Sequence, residues 1–230
     1  MPGDARTSGI RELVDRTFLA YNSARLREAC TLFSSRYADP KVTVAVSAAG
    51  ALTPAGLGAS ALVPLMKAGL IDWMVMTGAN LYHDLHFALG QPLHVGSHLI
   101  DDRELRANGV VRIYDILFES SVLFDADAYA RDFTASLGSR GRIGSAQFHH
   151  LLGHRLLADH PENKDLSVLM TAAELGIPLF TSSPGDSTLG MNMAAVALSG
   201  ADIDFDDTLD VNQTAAIVYD AKRSGGKSGV

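Results

Sequence analysis

The stretch that decides the fold is VTVAVSAAGALTPAGLGASALVPLMKAGLIDWMVMTGAN, residues 42–80. Its first five residues, 42–46, form a run of mostly β-branched side chains with valine at every second position, which predicts a buried strand. Thr53 and Pro54 then supply a capping hydroxyl and a proline at the first helical position, which predicts a helix start. A second apolar run, 71–76, predicts another strand. Two strands joined by a helix form a parallel pair with a right-handed crossover, so this stretch predicts a β–α–β unit.

The turn after the first predicted strand is rich in glycine. Gly50, Gly56 and Gly58 leave backbone N–H groups uncovered, and the N-terminus of the following helix carries partial positive charge. This combination favours an anion such as a pyrophosphate. The spacing differs from the dinucleotide fingerprint GxGxxG. A turn that only packs the helix on the strand is the alternative, and both interpretations stay open at this point.

The same stretch raises the question of a membrane span, because residues 42–66 carry no charged side chain and are long enough to cross a bilayer. However, Pro54 and Pro64 interrupt the run, alanine and glycine outnumber the large apolar residues, and its two halves differ in period. We therefore interpret it as soluble core and expect no membrane association.

Composition limits the classes of function. The chain has 230 residues, 47% hydrophobic content and a net charge of −7. The acidic balance argues against nucleic acid as a partner and suits a cationic substrate. One cysteine, Cys30, and no secretory pattern at the start predict a cytoplasmic protein without internal disulfides. We expect a single α/β domain over residues 1–230, with residues 1–8 flexible.

The remaining pattern repeats the opening one. Residues 110–118 predict a third strand, and residues 177–198 predict a strand, a small-residue loop and an apolar helix. Further helices are predicted at 10–21, 22–32, 126–137, 145–157 and 166–175. The acidic run 202–210 is typical of a solvated face, with calcium or amine binding as the alternative. Together these elements predict a doubly wound, mostly parallel sheet with helices on both faces, Rossmann-like, and a ligand beyond the carboxyl ends of the strands.

Individual residues suggest chemistry at that edge. Asp186 follows the strand near residue 180 and can accept both hydroxyls of a ribose, although an N-cap for the next helix explains it equally well. His83 and Asp84 follow the second strand, where a histidine titrating near neutrality can act as acid or base. The alternative for that pair is a polar helix face.

Two other groups carry weaker indications. His150 and His154 are four residues apart on a predicted helix, as in a chelating pair, but no third ligand with supporting spacing is evident, so we predict no metal site. Cys30 lies on a predicted helix without a nearby base, which favours a small core residue over a nucleophile.

Three motifs together resemble the deoxyhypusine synthase family. They are TGANLYHD at 77–84, RIYD at 112–115 and SPGDSTLGMN at 183–192. The resemblance covers most of the chain from Phe18 onward and favours the bacterial deoxyhypusine-synthase-like branch, which is linked to homospermidine formation. Members of the family are NAD-dependent aminobutyl transferases that use spermidine or a related polyamine, and they are tetramers with sites between subunits. The resemblance therefore implies NAD as cofactor, a polyamine substrate and a homotetramer.

The resemblance also implies roles for particular positions. His83 stands where the eukaryotic enzymes have a cofactor-contacting glutamate, and Met191 stands where they have an aspartate that grips an amine of the polyamine. The implied substrate-binding positions are Asp84 and Met191. The implied cofactor-binding positions are Gly50, Ala51, Thr53, Thr77, Gly78, Ala79, His83, Asp186 and Thr188.

The chain departs from the family pattern at its end. The family's imine-forming lysine lies beyond the segment that resembles residues 215–230, and Lys227 is not at the matching position, so the catalytic residue is unknown. We expect the chain to be the N-terminal part of a longer family domain, either truncated or completed by another chain.

The function predicted from the sequence is an NAD-dependent, homospermidine-synthase-like aminobutyl transferase. In the implied reaction, the secondary amine of the polyamine is oxidised by hydride transfer to NAD, a lysine captures the aminobutyl group, and an acceptor amine displaces it before the hydride returns. The alternatives are a deoxyhypusine synthase acting on a translation-factor lysine and a catalytically incomplete NAD-binding subunit. A metal hydrolase that uses the histidines is a third class.

Overall fold

The computed structural model describes residues 9–223 and 227–229, so residues 1–8, for which flexibility was predicted, lie outside the described part. The α-helices in chain order are α1 Ile10–Thr17, α2 Tyr21–Leu32, α3 Val63–Lys67, α4 Gly78–Ala88, α5 Asp102–Ala107, α6 Ser120–Ser136, α7 Ser145–Asp159, α8 Val168–Leu175, α9 Thr188–Leu198 and α10 Asp207–Arg223. The strands are β1 Val42–Ala48, β2 Trp73–Met76, β3 His94–Val95, β4 Val110–Ile113, β5 Ile116–Glu119, β6 Gly141–Ile143, β7 Leu179–Thr181, β8 Ile203–Phe205 and β9 Lys227–Gly229.

The principal sheet is parallel and has the order β7-β2-β1-β9. Ala48 at the end of β1 pairs with Met76 at the end of β2, and Met76 pairs in turn with Thr181 at the end of β7. The three strands therefore end level with one another, and the loops that follow them leave the sheet at one edge. The predicted β–α–β unit and the parallel pairing are confirmed.

The core lies between this sheet and the helices that pack against it. Its largest fully buried side chains come from β2, α4, α7, α8 and α9, among other elements. They include Met74, Met76, Leu81, Leu85, Phe148, Leu152, Leu156, Leu169, Met170, Leu189 and Met193. Apolar burial on this scale is the main stabilising term of the fold.

The connection between β1 and β2 is not the single capped helix that was predicted. A 3₁₀ turn at Thr53–Ala55 is followed by a π-helical turn at Gly58–Leu62 and only then by α3. Gly56 has φ +77°, a left-handed conformation that ends a right-handed helical turn. The Thr53 hydroxyl donates to the carbonyl oxygen of Asn80 at 2.7 Å and caps no helix.

Residues 110–119 form a hairpin of two strands, so the prediction of a single third strand over 110–118 is wrong. β4 and β5 pair antiparallel, and with β3 they make a separate three-stranded sheet of order β3-β5-β4. The chain reverses at Tyr114, which has φ +54°. The Tyr114-Asp115 pair carries no glycine, so the usual sequence indication of a tight hairpin turn is missing.

The acidic run 202–210 contains a short strand that the sequence did not indicate. β8 pairs parallel with β6 in a two-stranded sheet. Asp210 is buried, and its carboxylate accepts the backbone N–H of Ser145 at 2.9 Å and that of Ala146 at 3.5 Å. The run is therefore only partly the solvated face that was predicted, because one of its carboxylates stabilises the start of α7.

The fold class is confirmed at the level of a mixed α/β protein with parallel strand pairing. The doubly wound, Rossmann-like arrangement and the single domain stay predictions.

Cys30, predicted as a core residue, is exposed on α2. None of the helices in the described part of the chain has the length and apolar character that crossing a membrane requires.

Candidate functional site

The loops that follow β2 and β7 touch each other at the carboxyl edge of the principal sheet. A β-carbon on Gly78 would overlap the side chain of Ser187 and lie 3.6 Å from its Cα atom. Gly78 begins α4, and Ser187 is the N-cap of α9, where its hydroxyl oxygen accepts the backbone N–H of Gly190 at 3.2 Å. Close approach without a β-carbon therefore brings two helix N-termini together at this edge.

Asn80 holds the loop after β1 against the start of α4. Its side chain is fully buried. Its Nδ2 atom donates to the carbonyl oxygen of Gly50 at 3.1 Å and to the Thr77 hydroxyl at 2.9 Å, while its Oδ1 atom accepts the backbone N–H of Leu52 at 2.6 Å and that of Thr53 at 3.4 Å. One amide thus satisfies backbone groups of a loop far away in the sequence.

The first loop presents backbone at the edge. Gly50 has φ +68°, and both Gly50 and Ala51 are exposed. Thr77 is the N-cap of α4 but caps it with no side-chain bond, since its hydroxyl donates to the carbonyl oxygen of Gly50. The first N–H groups of α4 therefore lack a side-chain cap, as in helix N-termini that bind anions.

A cavity of about 420 Å³ lies beside these loops. It brings together four of the positions predicted to contact cofactor or substrate, which are Ala79, His83, Thr188 and Met191. Its other lining residues are Tyr82, Val111, Ile113, Phe118, Leu123, Asp127 and Ser187. The volume falls within the range of about 300–1,000 Å³ that is typical of small-molecule pockets.

Asp84 does not line this cavity. Its carboxylate is fully buried and accepts the Ser167 hydroxyl at 2.6 Å and the backbone N–H groups of Val168 and Leu169, each at 2.9 Å. Burial raises its pKa to about 6, against these hydrogen bonds, which lower it. The predicted substrate contact is therefore corrected to a structural role, because both carboxylate oxygens stabilise the start of α8.

Two other predicted cofactor positions have different outcomes. The hydroxyl of Thr53 is buried and bound to Asn80, so it is not free for a ligand. The side chain of Asp186 lies outside what the structure describes, although its backbone belongs to the 3₁₀ turn Pro184–Asp186. The alternative role considered for Asp186, the N-cap of α9, belongs to Ser187.

The exposed pair His150 and His154 on α7 has ring centroids 4.5 Å apart. Within residues 9–223 and 227–229, no group of three histidine, cysteine, aspartate or glutamate side chains is arranged to hold a metal ion. The pair lies outside the residues that line the cavity described above.

His83 and His86 form an aromatic cluster with Tyr82 and Phe118 beside the cavity. The ring centroids of His83 and His86 are 5.1 Å apart, and that of His86 is 5.5 Å from Phe118. Burial lowers the pKa of His83, which favours its neutral form. Burial and then the neighbouring His83 lower the pKa of His86 to about 4, and neither ring nitrogen of His86 has a hydrogen-bond partner among the described residues.

His86 gives a prediction for stability against pH. Its folded pKa lies below its unfolded value of about 6.5, so the unfolded chain binds the extra proton and stability falls as the pH drops from about 6.5 toward 4. We expect wild-type protein to lose about 2 kcal/mol more than His86→Leu between pH 7.5 and pH 5, since one pKa unit corresponds to about 1.4 kcal/mol. Urea denaturation at both pH values measures this. Equal losses in the two proteins would refute the assignment.

The comparison must allow for two other buried groups. The pKa of His149 is also lowered to about 4, which adds a loss of the same sign, and that of Asp84 is raised to about 6, which opposes it. Both groups are present in wild type and in His86→Leu, so their contributions cancel in the difference between the two proteins, which reports His86 together with its contact to His83.

Three residues that shape this site were not singled out from the sequence. Asn80, Tyr82 and Asp127 each have partners distant in sequence, as in the bond from the Tyr82 hydroxyl to Asp127 Oδ1 at 2.9 Å. The indication that was available is the motif 77–84, which contains Asn80 and Tyr82. Asp127 lies on the helix predicted at 126–137, where a buried polar group requires a partner.

Comparison with known proteins places these features in context. The family model for deoxyhypusine synthase matches residues 12–227. A deoxyhypusine synthase-like protein of Nostoc punctiforme is 51% identical over 222 residues, which cover 94% of this chain and 56% of that protein. A Methanosarcina mazei protein named "Probable deoxyhypusine synthase 2" is 30% identical, over 98% of this chain and 64% of the relative. This chain thus spans about half of the length of the cyanobacterial relatives that it matches.

A solved structure supports the fold. The crystal structure of an Entamoeba histolytica protein assigned as a deoxyhypusine synthase superposes with a TM-score of 0.65 at 13% identity and covers 92% of this chain and 71% of that one. At this identity the likeness concerns the architecture alone.

Proposed function

This chain belongs to the deoxyhypusine synthase family, and from that premise we propose that it forms the NAD-binding part of an aminobutyl transferase of polyamine metabolism. The observation that carries the proposal is the meeting of three strand-end loops at one edge of a parallel sheet, beside a cavity of about 420 Å³. In open α/β sheets, this edge is where dinucleotides and their substrates bind.

The residues present fit NAD in a specific way. Gly50 and Ala51 are exposed at the edge, and Thr77 leaves the N-terminus of α4 without a side-chain cap. An exposed backbone loop facing a helix N-terminus suits a pyrophosphate. When bound, NAD supplies a hydride acceptor, and the part of this chain is to hold and orient the cofactor beside the amine. We assign Gly50, Ala51 and Thr77 to that contact, with Asp186 as the expected ribose ligand, whereas Gly78 is buried against Ser187.

The cavity next to this edge suits an aliphatic amine. Its lining contains the apolar side chains of Val111, Ile113, Phe118 and Leu123, which match a methylene chain. Ala79, His83 and Thr188 line the same cavity, so we assign them to the boundary between cofactor and substrate. Met191 is placed along the amine, where it contributes apolar contact.

Two reactions are candidates, and they differ in the amine that accepts the aminobutyl group. Relatives bearing deoxyhypusine synthase names support the transfer of an aminobutyl group to a lysine of a translation factor. The acidic composition and the resemblance to the bacterial branch support transfer to a diamine, which gives homospermidine. Incubation with spermidine, putrescine and NAD separates them, because only the second reaction forms homospermidine without a protein acceptor.

The chain spans about half the length of these relatives, so the full reaction is proposed for an assembly and the cofactor site for this chain. A homotetramer with sites between subunits and a cytoplasmic location belong to the same proposal. A chain that binds NAD but yields no amine product with any diamine is the catalytically incomplete subunit.

A charge placed at the proposed phosphate contact tests the cofactor site. We expect Ala51→Glu to weaken NAD binding by about tenfold or more, because a carboxylate there repels the pyrophosphate, while thermal stability stays near that of wild type because Ala51 is exposed. Ala68→Glu is the matched control. Ala68 is also exposed and follows α3 at the opposite edge of the sheet.

Isothermal titration calorimetry with NAD gives the affinities. Equal binding by both variants would contradict the placement of the phosphate. No binding by wild type would overturn the proposed function itself.

A further inference from the structure

Asp127, on α6, is the one carboxylate among the residues known to line the cavity. Its side chain is 23% exposed, so the charge is largely removed from solvent. The walls around it are apolar, and Val111, Ile113 and Phe118 come from the hairpin opposite α6. A partly buried carboxylate in an apolar cavity is costly unless a cation or hydrogen bonds compensate it.

One oxygen of Asp127 is fixed by neutral donors. The Tyr82 hydroxyl donates to Oδ1 at 2.9 Å, and Nδ2 of Asn192 donates to the same atom at 2.8 Å. These two bonds from α4 and α9 hold the carboxylate in one orientation without neutralising it. The Asp127 carboxylate is therefore preorganised for a ligand.

The second oxygen has little compensation. Its partner within the described part of the chain is the guanidinium of Arg131, at 3.8 Å from Oδ2. The Arg131 side chain is 55% exposed, and its Nε atom is already bound to Oδ1 of Asn192 at 2.6 Å. An ion pair this long and this exposed contributes little, so Oδ2 retains most of its capacity to bind a cation.

The other ionisable side chains that line the cavity do not neutralise the charge of Asp127. Burial and the neighbouring Asp127 raise the pKa of Tyr82, so it stays neutral at pH 7. Burial lowers the pKa of His83, which favours its neutral form as well. The cavity lining therefore combines one negative charge with long apolar walls.

We propose that Asp127 is the residue that binds the ammonium group of an aliphatic amine, with the methylene chain of that amine against Val111, Ile113 and Phe118. The inference rests on the proposed function for the identity of the amine as substrate. The ion pair between the ammonium group and Asp127 does not require NAD. Binding of the amine to Asp127 is therefore measured separately from NAD binding.

Calorimetric titration with putrescine tests the assignment. We expect Asp127→Asn to bind putrescine about 10- to 100-fold more weakly than wild type, because the charged acceptor of the ammonium hydrogen bond is replaced by a neutral amide oxygen. Asp125→Asn is the matched control. It removes the same charge from the same helix, but Asp125 is exposed, contacts Gln91 at 3.4 Å and does not line the cavity. Its affinity should stay at the wild-type level.

A second variant separates binding from folding. Tyr82→Phe removes one hydrogen bond from Asp127 but keeps the carboxylate, so it should bind putrescine far better than Asp127→Asn does. Thermal melting of all the variants shows whether each is folded. The neutral diol 1,4-butanediol, which has the same carbon chain, should not bind.

The outcomes distinguish this inference from the proposed function. Wild-type affinity in a folded Asp127→Asn, or no putrescine binding by wild type with or without NAD, would overturn the role of Asp127. NAD binding by the same protein would leave the proposed cofactor site standing. Putrescine binding that depends on Asp127, in a chain that does not bind NAD, would uphold the ammonium site and remove the proposed function.

Discussion

Replacing Asn80 by alanine is expected to lower the free energy of unfolding by about 3–4 kcal/mol. The amide is fully buried and bonds to Gly50, Leu52 and Thr77. Its removal leaves backbone groups of the first loop without their buried partner, at a cost of about 1–3 kcal/mol for each group that stays unsatisfied. Urea denaturation monitored by circular dichroism measures the loss.

The effect should be centred on the loop at residues 49–53. We expect limited proteolysis to cut this loop in Asn80→Ala faster than in wild type, and NAD affinity to fall with it if the proposed function holds. Asn108→Ala is the control, because the Asn108 amide is exposed and bonds only within its own helix end, to the Glu104 carbonyl oxygen at 2.7 Å. It should cost less than about 1 kcal/mol. Equal stability of the two variants would show that Asn80 does not organise the loop.

Gly190→Ala is expected to destabilise the protein by about 3 kcal/mol, although alanine favours a helix by about 1 kcal/mol over glycine. A β-carbon at Gly190 would overlap the carbonyl oxygen of Pro184 and lie 2.7 Å from the carbonyl carbon of Pro184 and 2.8 Å from Cα of Gly185. These are backbone atoms, so the 3₁₀ turn before α9 has to move. The steric cost therefore exceeds the gain in helix propensity.

Gly185→Ala provides a matched control in the same turn, because a β-carbon there would meet no atom within 4 Å. It should change stability by less than about 1 kcal/mol. Thermal denaturation of both variants measures the difference in their stability. If Gly190→Ala were as stable as Gly185→Ala, the turn before α9 would be free to shift. The close packing of α9 against this turn would then not limit the residue type at position 190.

The candidate site shows how much of a binding site can be predicted from sequence motifs. Ala79, His83, Thr188 and Met191 were selected from motifs in two separate stretches, and the structure places all four around one cavity. The two motifs were sufficient because each follows a strand of the same parallel sheet, and such strand ends converge. Asp84 comes from the same motif as His83, yet it points into the core, since adjacent positions on a helix face different directions.

The sequence alone indicated most of the helices and the parallel pairing of β1 and β2. Those features depend on the period of apolar residues, on proline and glycine at helix ends, and on the rule that a helical connection joins parallel strands. Residues close in the chain are sufficient to express them.

Tertiary structure alone decided which polar groups are structural and which face the cavity. Asp84 is bound by residues more than eighty positions away, and Asp127 is fixed by Tyr82 and Asn192 from two other helices. The hairpin at 110–119 likewise turned at a pair without glycine. Such outcomes depend on the burial and hydrogen-bond partners that distant segments supply, and a single sequence does not reveal which segments those are.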